Sequence, residues 1–226
     1  MFGGWVDVQV GRVMVGQFSI RYSLFAVAML ALAACAPQYS STYTSATDPY
    51  VEINQASAKG TWSRACDDTG DGLTSTLIDL ELDPEGVSHM KYIAFIDSEC
   101  KGTEVARVDI EFTFKLGSTV SKPLGAYAFD LTIRKVMMTS TSPTMSAYYS
   151  NTDFCGVDTW DVNVAHDVTG KKCGPVQYPA AGQMQYSIFK LSTPESLQVG
   201  KIGSGNAGFS SDTRMDVLDD LPYTKQ

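Results

Sequence analysis

From residue 60 onward, apolar and polar side chains alternate with a period of two. Val108, Ile110, Phe112, Phe114 and Leu116 alternate with Asp109, Glu111, Thr113 and Lys115. Strict alternation puts one set of side chains on each face of a half-buried strand. Tyr127, Phe129, Leu131 and Ile133 do the same against Ala128, Asp130, Thr132 and Arg134. Ile78, Leu80 and Leu82 alternate with Asp79 and Glu81. Met90 to Ile96 is apolar on both faces, which predicts a strand covered on both sides. The pattern predicts strands over 60–66, 74–83, 87–97, 103–116, 125–139, 159–164, 183–191 and 196–202, with a last segment at 213–224. Asp71-Gly72 and Asp83-Pro84-Glu85-Gly86 fall between strands, where hairpins need turn-forming residues. Lys101-Gly102 and Gly117-Ser118 punctuate the following ones. The only stretch that suits a short helix is 143–154. About eight strands in meander order predict an all-β chain, an antiparallel up-and-down β-barrel, with a β-sandwich as the alternative.

The first part of the chain follows another logic. Leu24 to Ala34 is an uninterrupted apolar run, preceded by Arg21 and ended by Cys35. It is shorter than the roughly 20 residues that span a bilayer. A basic start, a short apolar stretch and a small-residue end describe an export signal. Leu32-Ala33-Ala34-Cys35 resembles the lipobox of bacterial lipoproteins. That resemblance implies acylation of Cys35, cleavage before it, and attachment to the membrane through acyl chains. Ala36 follows Cys35, and by the same resemblance the destination is the outer membrane rather than the inner one. Met14 is an alternative start that leaves a shorter basic segment. The expected organisation is a signal peptide at 1–34, a lipidated Cys and Ser/Thr-rich tether at 35–58, and a barrel domain at 59–226.

Charge and cysteine content narrow the class. The formal charge is −8 and the pI near 4.7, which argues against a nucleic-acid partner. Beyond Cys35 lie Cys66, Cys100, Cys155 and Cys173, an even set in an exported chain. Of the three connectivities, Cys66–Cys100 and Cys155–Cys173 are favoured. The first pair ends strands that run the same way in a meander; the second brackets a loop-rich stretch. No Cys-x2-Cys spacing suggests zinc, and no metal or cofactor is implied.

Gly60-Thr61-Trp62 opens the first strand and resembles the Gly-x-Trp motif of lipocalins. The resemblance implies that an Arg near the last strand packs over this Trp and closes the barrel, and Arg214 is the candidate. The span from Gly60 to Gln226 is also similar to small bacterial lipoproteins of unknown function. The shared pieces are Gly60-Thr61-Trp62, Asp97-Ser98-Glu99-Cys100, Tyr186 to Leu191, Leu218-Asp219 and Tyr223-Thr224-Lys225.

Other motifs carry less. Gly203-Ser204-Gly205-Asn206-Ala207-Gly208 matches Gly-x-Gly-x-x-Gly, but no helix pattern follows it, as a dinucleotide site needs. Asp67-Asp68-Thr69-Gly70-Asp71-Gly72 resembles the start of a calcium loop, but Ile78 stands where the bidentate Glu belongs. His166-Asp167 suggests an oriented base without a nucleophile-elbow partner, so no catalytic residues are assigned. Phe112, Phe114, Tyr127, Phe129 and Met137 are the candidate pocket, with Met138 and Met145 as further flexible apolar residues. The expected function is binding of a small apolar ligand or a cell-envelope component inside the barrel. The alternative is a protein-binding envelope module or inhibitor using rim loops 140–182. A cavity of about 300 Å3 or more favours the first reading.

Overall fold

A computed structural model describes residues 54–68, 74–201 and 208–226. The strands are β1 (Gly60–Arg64), β2 (Asp67–Asp68), β3 (Ser75–Leu82), β4 (Ser88–Phe95), β5 (Glu104–Thr119), β6 (Tyr127–Ser140), β7 (Ala165–Asp167), β8 (Lys172–Cys173), β9 (Val176–Gln177), β10 (Met184–Thr193), β11 (Ser196–Val199) and β12 (Tyr223–Lys225). One helix, α1 (Pro143–Asn151), follows β6. β1 pairs with β3 on one side, Trp62 opposite Leu80, and with β12 on the other, Trp62 opposite Lys225. Eight strands (β1, β3 to β6 and β10 to β12) therefore close into an antiparallel up-and-down barrel. Closure removes the exposed edges that a sandwich would keep.

The alternation seen in the sequence sets the inside of the barrel. Val108, Ile110, Phe112 and Phe114 of β5 and Phe129, Leu131 and Ile133 of β6 are buried, while the residues between them are more accessible. The register then slips. Glu111 pairs with Lys135 but Phe112 with Ile133, so Arg134 is an extra residue on β6. A bulge of one residue inverts the parity beyond it. Val136 and Met138 consequently turn inward and are buried, and Met137 takes the outer face.

One end of the barrel, the base, is sealed by a 3-10 turn, Gln55–Ala58, capped by Asn54. Gln55 Nε2 donates to the Pro84 and Phe114 carbonyls at 3.1 and 3.3 Å, and Trp62 Nε1 donates to the Ala58 carbonyl at 3.1 Å. This turn, given to the tether by composition, is seated on the barrel because the buried indole N–H needs an acceptor. Gly60 next to it has φ +145°, and a Cβ there would sit 2.9 Å from Lys225 Cε. A side chain at this position is thus disfavoured twice.

The opposite end carries the long insert between β6 and β10. Tyr149 stacks on Phe154 at 4.3 Å and tilts against Trp160 at 5.1 Å, and Cys155 is bonded to Cys173. The Cys66–Cys100 bridge ties the end of β1 to the loop after β4 at the same rim.

Three expectations about elements need correction. Segment 159–164 is not a strand; Asn163 adopts φ 64°, which ends any extended run, and the pairing strand is β7, shifted onto Met137–Thr139. β4 is not covered on both sides; its outer residues Ile93 and Phe95 are half-buried, and Ile96 is 58% exposed. The closing strand is short, Tyr223–Lys225, and takes only Tyr223 and Thr224 from the expected 213–224.

Candidate functional site

The inward side chains do not fill the barrel. They leave a cavity of about 530 Å3, within the range of small-molecule sites. Phe112, Ile110 and Val108 form one wall, Phe129, Leu131 and Ile133 the next, and Met90, Tyr92 and Ile78 a third. Val176 and Tyr178 of the insert reach into the cavity as well. Two of the candidate pocket residues, Phe112 and Phe129, line it. Phe114 and Tyr127 are buried outside the lining, Phe114 edge-on to Phe129 at 5.3 Å. Met137 does not take part, because the bulge at Arg134 turns it away.

The mouth of the cavity is charged, and sequence reasoning missed it. Arg64 is only 8% exposed. Its Nη1 donates to Asp219 Oδ2 at 2.7 Å and its Nη2 to Asp67 Oδ2 at 2.9 Å. Its Nε is buried without a partner among the described residues. Burial works against the charge, but Tyr223, Asp219 and Asp67 outweigh it and hold the guanidinium above its ordinary pKa. Lys201 pairs with Asp220 at 2.6 Å beside this cluster. The signal was present in β1, since Arg64 shares the phase of the inward Trp62. A charged residue on the buried face of a strand requires a partner, and Asp219 of Leu218-Asp219 is that partner.

Tyr92, Tyr178 and Tyr223 also line the cavity, and Tyr92 and Tyr223 lie within electrostatic reach of Arg64 and Asp219. Burial pushes the Tyr92 and Tyr178 hydroxyls up to about 12, and Tyr223 higher still. All three remain neutral hydrogen-bonding groups near neutral pH.

The predicted Arg–Trp closure is not what the structure contains. Arg214 is paired with Asp130, donates to the Ser187 carbonyl at 2.9 Å and lies over the Tyr186 ring at 5.4 Å. Asp130 and Tyr186 are on the outer face of β6 and β10, where Met215 packs on Ala126 and Ile188. Lys225 takes the place over Trp62, with Nζ 5.3 Å from the ring. The reason is register: β12 sets Lys225 directly opposite Trp62, whereas Arg214 belongs to the loop before it.

Other candidates are accounted for by local structure. Asp67 of the acidic loop is committed to Arg64, and residues 69–72 of that motif lie outside the described residues. The glycine motif at 203–208 lies outside them too, apart from Gly208. Asp167 accepts from Thr169 Oγ1 at 2.6 Å and Thr169 N at 2.9 Å, so it does not orient His166, whose ring lies 4.6 Å from Trp160. Met145 packs at the edge of the core. The lipobox and Cys35 are outside the described residues. No family model matches the chain, and a search of curated proteins finds no relative.

Proposed function

We propose that this protein is a lipid-anchored outer-membrane lipoprotein whose lipocalin-like barrel binds a small, largely apolar molecule. The observation that carries the reading is the cavity of about 530 Å3 inside a closed eight-stranded barrel. A core evolved only for stability fills such space, because empty apolar volume is destabilising. The cavity also favours ligand binding over the alternative of a protein-binding module, which needs no internal space. The sealed base with Gly60-Thr61-Trp62 supports the lipocalin likeness, although a lysine replaces the expected arginine over the indole. The lipobox supports the anchor, and the first barrel strand begins at Gly60, 25 residues beyond Cys35.

Two experiments test this. Mass spectrometry of protein taken from membranes should show a mature chain beginning at acylated Cys35, with a small apolar compound extracted from it by organic solvent. Cys35→Ala should abolish membrane fractionation or leave the uncleaved precursor. A chain of unprocessed mass that yields no extractable compound would contradict both halves of the proposal.

A further inference from the structure

Arg64 is more than nine-tenths buried and lines the cavity, yet its hydrogen bonding is incomplete. A guanidinium carries five N–H donors. Nη1 donates to Asp219 and Nη2 to Asp67, while the Nε–H is buried with no partner among the described residues. Native structures leave few buried polar atoms unpaired, because each one costs free energy. A donor of this kind on a residue lining an apolar cavity points to a ligand that brings an acceptor.

The surroundings decide the charge of that acceptor. The lining has two cations, Arg64 and Lys201, against Asp67, Asp68, Asp219 and Asp220. The charge of Arg64 is already balanced by carboxylates at 2.7 and 2.9 Å. A carboxylate or phosphate head group would add negative charge beside Asp67 and Asp219, where like charges repel. An ammonium head cannot accept from the Nε–H at all. Moreover, Asp67, Asp219 and Asp220 already have cationic partners. An uncharged oxygen meets the donor without either conflict. A carbonyl suits it best, since it accepts and has no N–H or O–H of its own to leave unpaired.

Resting on the carrier reading above, we propose that the ligand is an uncharged amphiphile whose carbonyl oxygen accepts a hydrogen bond from Arg64. Its hydrocarbon body lies against Phe112, Phe129 and Leu131. The apolar walls supply most of the affinity. Arg64 supplies the discrimination, because a ligand without an acceptor fills the space and leaves the donor unpaired.

The test uses full-length protein held in a nonionic polymer, with protein-free polymer as the blank. Bound N-phenyl-1-naphthylamine, which has no carbonyl, is displaced by methyl nonanoate, nonyl chloride, nonanoate and nonylammonium. Corrected for octanol–water partition, methyl nonanoate should displace the probe about tenfold more effectively than nonyl chloride, as a hydrogen bond from a charged donor predicts. Both charged compounds should be weaker than the ester. Arg64→Lys keeps a cation for Asp67 and Asp219 but removes the Nε–H and the planar fork. It should cut the ester's advantage by about fivefold while probe affinity stays within about twofold. Infrared spectra of methyl nonanoate labelled at the carbonyl decide the matter even if that variant misfolds. On the parent protein the bound carbonyl stretch should lie at lower wavenumber than in cyclohexane. A stretch equal to that in cyclohexane, equal corrected displacement by ester and chloride, or strongest displacement by either charged compound overturns the carbonyl proposal and leaves the carrier reading standing. Failure of the probe to bind at all removes the carrier reading as well.

Discussion

Arg64 and Trp62 occupy the same face of β1 two residues apart, Trp62 on the side of the sealing 3-10 turn and Arg64 in the lining of the cavity. Trp62 closes the base through packing, its N–H on Ala58 and the Lys225 ammonium above the ring. Trp62→Ala should destabilise the protein by about 3–5 kcal/mol, whereas Lys225→Ala should cost about 0.5–1 kcal/mol. Lys225→Ala should also move Trp62 fluorescence, and Arg214→Ala should not, because Arg214 serves the outer wall. At the mouth, Asp219→Ala removes a partner of a buried cation. Full burial would make such a loss about 3–5 kcal/mol, and the partial exposure of Asp219 reduces it to about 2–3 kcal/mol. The tyrosines give a pH signature. Their folded pKa values lie above the ordinary tyrosine value, so their contribution is fully present below about pH 10 and is lost as pH rises through 12. Denaturant midpoints measured from pH 8 to 12 should fall across that window, in step with the 295 nm absorbance of ionising phenols.

At the scale of elements, the alternation in β5 and in the first half of β6 was fully legible. Its polar half is unmistakable, with Asp109, Glu111 and Thr113 in one strand and Asp130 and Thr132 in the other. Beyond Arg134 the signal is lost. Val136, Met137 and Met138 are all apolar, so the sequence carries no parity there and the bulge cannot be read. Met137 entered the candidate pocket for that reason. Segment 159–164 failed in the opposite way, because Trp160, Val162 and Val164 imitate a strand that Asn163 interrupts. The Asp97 loop shows what its motif does. Desolvation raises the Asp97 carboxyl, but N–H groups of Glu99, Lys101, Gly102 and Cys100 outweigh it and hold the pKa below the ordinary range. The loop that carries Cys100 should therefore be held above the ordinary carboxylate range and loosen as pH falls through the depressed value. Amide exchange of residues 98–102 across pH 2–5 measures this. The insert depends on its bridge in the same local way. Replacing Cys155 and Cys173 by Ser should cost about 3 kcal/mol, and faster exchange should begin at Val176 and Tyr178 while β5 and β6 stay protected.

For the whole molecule, the meander order and the closed barrel followed from strand count and hairpin signals. The cavity did not. Alternation says which side chains face inward, but the space they leave depends on eight strands closing together and on how far Val176 and Tyr178 descend from the insert. The charged mouth was harder still, since Arg64 and Asp219 are 155 positions apart and meet only on closure. Under the proposed function, this barrel holds an accessible apolar cavity used for binding. Titration of N-phenyl-1-naphthylamine into the full-length protein tests it most directly, with Ile110→Trp as the comparison because that wall position aims a larger ring into the space. One bound probe per chain, lost in a variant whose circular dichroism is unchanged, is the predicted result. No binding to the parent protein, or equal binding to both, would contradict it.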